Sequence, residues 1–242
     1  MLSKLSLLKF CFAVAVVGLL WTAIAFAQDS SPATIPGKID AAVKARVDGI
    51  ASYTVTEHYT LFRNDDQTHA AAEMTVKTTY KRESGKSYEI LSESGSEVLR
   101  RMVLHSILDN ERDINKPGVR EGSFFTSSNY LMTVEPGGVQ QIEGRRCYTI
   151  DMKPKPKPNS QHLVTGTLWV DAATGEIVQV QGKAQKTMPL VTGKLQVFRK
   201  YTNVNGFAQA TYARAESNSF LFGRTVVTID YRDYQIVPRA SR

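Results

Sequence analysis

The residues of this chain best suited to metal or nucleophilic chemistry are four histidines and two cysteines, and their spacing supports neither kind of site. His58, His69, His105 and His162 are far apart, with no interval typical of metal ligands, so each reads as a surface or capping residue. Cys11 falls inside an N-terminal apolar run, which leaves Cys147, beside Tyr148 and Ile150, as a small core residue. A lone thiol makes neither an intramolecular disulfide nor a structural zinc site. There is no Gly-x-Ser-x-Gly elbow, His-Glu-x-x-His pair, phosphate-cradling glycine loop or Cys-x-x-Cys. Asp65 and Asp66, between Asn64 and Gln67, read as solvated turn residues. We therefore expect no catalytic residue, no metal and no cofactor. A hydrolase would need an acid–base or metal cluster assembled by folding.

The residues that remain suggest binding. Tyr59, Met74, Val76, Tyr80 and Tyr88 fall on the dry sides of strand-like segments, as do Ile90, Leu195, Val197 and Tyr231, and Met102 falls on a helical stripe. Met and Tyr adapt to irregular ligands, whereas well-specified cores lean on Leu, Ile and Val. The sharper reading is a greasy, ligand-binding cavity enclosed by a curved sheet and capped by a helix; the plainer one is ordinary core. Lys153 to Pro158 alternates Lys and Pro, which gives an extended, stiff loop or a docking prong for an acidic partner or lipid headgroups.

The elements that must position these residues follow from periodicity. Ile39, Ala42, Val43, Val47 and Ile50 recur at helical spacing and predict a short amphipathic helix ending near Gly49. The period then becomes two. Residues 53–61 and 72–81 alternate apolar with polar as long strands, a turn follows at 82–86, and Tyr88 and Ile90 open a third strand. Ser94 stands three residues before Glu97, the spacing of a capping box, ahead of a stripe formed by Val98, Leu99, Met102, Val103, Ile107 and Leu108. Seven more strands are predicted at 130–134, 147–152, 164–170, 177–181, 193–201, 209–217 and 225–234. Asp171 to Glu176 reads as a hairpin loop closed by a left-handed Gly175. About ten strands with two helices, not alternating, imply a mainly β (α+β) fold, an antiparallel sheet carrying helices on one side.

The N-terminus reads as a signal for export. Lys4 and Lys9 precede an apolar run from Phe10 to Ile24, and Ala25-Phe26-Ala27 has the small-x-small pattern of a cleavage site. We divide the chain into a signal peptide at 1–27, a flexible lead-in at 28–37, a single β domain at 38–238 and a tail at 239–242. Without Lys4 and Lys9 the net charge falls from +7 to +5, which is too small and too dispersed to argue for nucleic acid, though it favours transient contact with an anionic membrane surface.

Two segments carry a family resemblance. Gly144 to Ile150, then the Pro154 loop, then Gly166-Thr167-Leu168-Trp169-Val170-Asp171 with the 172–178 hairpin resemble the core of the outer-membrane lipoprotein-sorting (LolA/LolB-like) superfamily. They are also similar to the lipid-sensing domain of RseB-type periplasmic regulators. The resemblance implies a half-barrel of antiparallel strands wrapped over helices, with a cavity for acyl chains and no enzymatic activity. The function it implies is a periplasmic carrier of lipid or acylated protein, monomeric, with a possible envelope protein partner. The alternative is a non-enzymatic regulator or interaction module of the same fold.

Overall fold

The computed structural model describes residues 32–156, 163–184, 191–219 and 223–240. The proposed signal peptide, residues 28–31 of the lead-in, Lys157, Pro158, His162 and the last two residues lie outside them.

Ten strands form one open antiparallel sheet in the order β3-β2-β1-β10-β9-β8-β7-β6-β5-β4. They are β1 (Ile50–Arg63), β2 (Ala72–Lys81), β3 (Gly85–Gly95), β4 (Tyr130–Ile142), β5 (Arg145–Pro154), β6 (Val164–Asp171), β7 (Ile177–Ala184), β8 (Val191–Val204), β9 (Phe207–Ser219) and β10 (Gly223–Pro238). Nearly every neighbour in the sheet is a neighbour in sequence; the exception is β1, which pairs with β10 and joins the first meander to the last strand. β3 and β4 are the two edges, so the sheet is a half-barrel with helices on its concave side.

Helix α1 (Ile35–Gly49) begins earlier than its periodicity suggests. A 3-10 turn at Pro32–Thr34 and a proline in the first helical turn start it, and Ile35 is buried with Ile39 and Val43. The lead-in therefore does not extend to Gly37 as expected. Proline serves in a first turn because the amide it lacks has no intrahelical partner there.

The second helical segment is α2 (Glu97–Leu99), a π-turn (Arg100–Leu104) and α3 (His105–Ile114) in direct succession. Its cap is Ser96, whose hydroxyl accepts from the Leu99 amide; the expected cap, Ser94, instead donates to Glu73 across the strand pair. The π-turn resets the buried stripe. Leu99 and Leu104 are five residues apart and Leu104 and Leu108 four apart, and all three are buried. A wider turn spaces inward residues by about five, so Val98 and Met102 rotate outward and are exposed.

Two apolar clusters result. One packs Ile35, Ile39 and Val43 of α1 against Ile150, Met152, Leu168 and Val170 of β5 and β6. The other packs Leu99, Leu104 and Leu108 against Tyr59, Leu61, Met74 and Val76 of β1 and β2. Cys147 is buried, as expected of a core thiol. β4 is longer than its apolar run predicts, because it continues through a register shift between Val134 and Val139. The Lys-Pro segment starts within β5, where Lys153 and Pro154 face Leu131 and Tyr130 of β4, so it is not wholly a loop.

Candidate functional site

Between the two clusters lies a partly open cavity of about 390 Å³, bounded by α1, the C-terminal end of α3, the 3-10 turn at Arg120–Ser123 and the middle of the sheet. Its apolar lining includes Val43 and Val47 of α1, Phe124, Phe125, Ile177 and Phe207. Tyr53, Tyr80, Tyr231 and Tyr234 line it as well, together with the charged Glu57, Lys86, Glu111 and Arg199.

A β-bulge assembles the tyrosines. Tyr231 and Tyr234 are three positions apart, so a regular strand would send them to opposite faces. Asp233 takes a left-handed φ of 57° where the β1–β10 register shifts, and both rings then face the cavity. Tyr53 stacks on Tyr80 with centroids 4.9 Å apart and contacts Tyr234 at 5.8 Å. Arg120 closes the row: its guanidinium lies 5.7 Å from the Tyr80 ring centre, and it donates to the Tyr80 hydroxyl and the Arg82 carbonyl at 2.8 and 2.7 Å.

The charged wall comes from three distant segments. Lys86 on β3 donates to Glu111 on α3 at 2.9 Å, and Arg199 on β8 lies 3.6 Å from the same carboxylate. Burial alone would raise the Glu111 carboxyl, but the charges of Lys86 and Arg199 outweigh it and hold the group down at about 2. Lys86 loses water in the same way, and Glu111 keeps it firmly protonated. Glu57, 2% exposed, accepts a hydrogen bond from the Tyr59 hydroxyl. Burial raises the pKa of the Tyr231 and Tyr234 hydroxyls well above the ordinary tyrosine range, so both stay neutral.

Of the residues chosen from sequence, Tyr80 and Tyr231 line the cavity. Tyr59, Met74 and Val76 are fully buried in the second cluster and Tyr88 packs against it, none of them on the cavity wall. Leu195 and Val197 are half-buried on β8 away from the cavity. Ile90 and Met102 are 43% and 41% exposed, the first on an edge strand beside a register shift and the second on the π-turn. Sequence reasoning missed Tyr53, Tyr234, Lys86, Glu111 and Arg199. Tyr53 carried a signal, since it opens the same dry alternation as Tyr59.

The three described histidines do not cluster. His58 contacts Thr75, His69 contacts Asp66, and His105 contacts Glu93. Among the described residues no group of three or more His, Cys, Asp or Glu is arranged to hold a metal ion, and no helix is long and apolar enough to cross a membrane.

No family model and no curated protein matches the chain. The solved structures to which it is similar include the following three. A DUF1329 family protein from Desulfovibrio piger shares 15% identity with a TM-score of 0.43, covering 86% of this chain and 94% of the other. A domain assigned to the outer membrane lipoprotein-sorting proteins, from Vibrio parahaemolyticus, shares 15% identity with a TM-score of 0.45 over 82% and 91%. A LolA superfamily protein from Nitrosomonas europaea shares 13% with a TM-score of 0.45 over 86% and 94%.

Proposed function

We propose that this chain is a non-enzymatic carrier that binds an amphipathic, acylated ligand, a lipid or a lipid-bearing protein, in the cavity between α1, α3 and the sheet. The observation that supports it is the cavity itself. Its volume of about 390 Å³ falls within the ~300–1,000 Å³ of ordinary ligand sites, and its lining combines apolar side chains with tyrosines and charged groups. An acyl chain laid along Val43, Val47 and Phe124 leaves water at ~0.8 kcal/mol per methylene. In this reading the ligand sits beside Tyr80 and Tyr231 and not among Met74, Val76 and Met102, which belong to the packed core and the surface. We place the activity in the periplasm, on a monomer, with transient contact to a membrane surface or an envelope protein partner.

Ala42 on α1 lines the cavity and gives the test. Ala42→Trp fills empty space, so its melting temperature should stay close to that of the parent, whereas its uptake of a fluorescent fatty acid should be abolished. Overpacking a filled core instead costs about 1–3 kcal/mol. A parent protein that takes up no fatty acid, or an Ala42→Trp variant that binds as the parent does, would overturn the reading.

A further inference from the structure

Cations outnumber carboxylates in the cavity lining. Seven charged side chains line the cavity: Arg46, Lys86, Arg120 and Arg199 against Glu57, Glu111 and Glu176. Two of them are engaged by partners outside the lining, Glu176 by Arg145 at 3.0 Å and Arg120 by Glu121 at 3.1 Å. Glu57 accepts from the Tyr59 hydroxyl, a neutral donor, so it still counts against the cations. Lys86 and Arg199 share the carboxylate of Glu111 and Arg46 forms no ion pair among the described residues, so three cations face the two carboxylates of Glu57 and Glu111, an excess of one positive charge. Lys86 and Glu111 are mostly sealed, at 12% and 17% side-chain exposure, while Arg199, at 37%, reaches the open side of the cavity.

We infer that the ligand is a single-chain amphiphile with an oxyanion head, a carboxylate or phosphate, held between Lys86 and Arg199 with its tail along α1. The inference rests on the carrier reading and narrows it to one class of headgroup. Lys86 supplies a point charge and Arg199 a planar fork of donors, a pair suited to an oxyanion. Glu111 holds both cations in place before the ligand arrives, and it moderates their pull.

The test uses the intact chain freed of lipid and three ligands with the same tail: laurate, lauryl alcohol and lauryltrimethylammonium. Each competes with a neutral fluorescent probe, and acetate serves as the head without the tail. Laurate should bind at least about tenfold more tightly than the alcohol, the worth of one charge-assisted hydrogen bond, with the cation weakest. Arg199→Gln should erase most of that advantage, read as the ratio of laurate to alcohol affinity within each variant, and Glu111→Gln should enlarge it. Should Arg199→Gln not fold, the ligand series on the unaltered protein decides. Equal affinity for the three tails, or preference for the cation, overturns the oxyanion assignment and leaves the carrier standing. Acetate competing as well as laurate, or no binding by any of them, overturns the carrier and the assignment with it.

Discussion

Glu111 is a carboxylate enclosed with two cations, and its titration links the site to stability. Its folded pKa of about 2 lies below the ordinary 4.5, so its contribution is complete above the ordinary value and is lost as pH falls through the folded one. Between pH of about 5 and about 2 the melting temperature of the parent should fall more steeply than that of Glu111→Gln, which has no such group to protonate. Parallel curves from pH-dependent calorimetry would refute the pairing. Met74 and Met102 make a contrasting pair at the same scale. Met74 is 1% exposed and surrounded by core, and Met74→Ala should destabilise by about 2–5 kcal/mol. Met102→Ala should change stability by no more than about 0.5 kcal/mol, and denaturant unfolding distinguishes the two outcomes.

At the level of elements, the β6–β7 hairpin shows local sequence and tertiary contact agreeing. Asp171 accepts from the Ala173 and Thr174 amides at 2.9 Å, and Gly175 closes the turn with a φ of 76°. A side chain at Gly175 would also meet the Lys38 carbonyl of α1 at 2.7 Å, so the turn packs directly beneath the helix. Gly175→Ala combines backbone strain with that clash and should destabilise by at least about 1–3 kcal/mol, measured by thermal melting. The turn was legible because a left-handed position needs glycine whatever lies around it. The π-turn at Arg100–Leu104 was not, since an apolar stripe at α-helical spacing gives no sign that the helix widens by one residue to keep Leu104 on the sheet. For the same reason the strand pattern placed Ile90 inside, whereas the edge position and the neighbouring register shift leave it exposed.

For the molecule as a whole, the proposed export from the cytoplasm makes a direct prediction. Protein recovered from the periplasm should begin at Gln28 or within a residue or two by N-terminal sequencing; a chain retaining Met1 would argue for an anchor instead. The fold class, about ten antiparallel strands and the two helical segments followed from sequence, because period-two and period-3.6 burial are imposed locally by the geometry of strand and helix; the order of the strands in the sheet came from the structure. A Ser-Glu spacing near residue 96 announced a helix start even though the capping residue proved to be Ser96. The site did not follow. Lys86, Glu111 and Arg199 are separated by long stretches of chain, each looks like a solvated surface charge in its own segment, and only the closing of β8 and α3 over β3 makes them neighbours. Tyr234 likewise reaches the cavity through one left-handed residue, Asp233, whose conformation depends on pairing with β1. Local patterning determined the dry faces of most strands and helices, and tertiary packing decided which exceptions leave or stay in water, as with Lys86 and Ile90, and which residues meet in a filled core or around an empty, charged cavity.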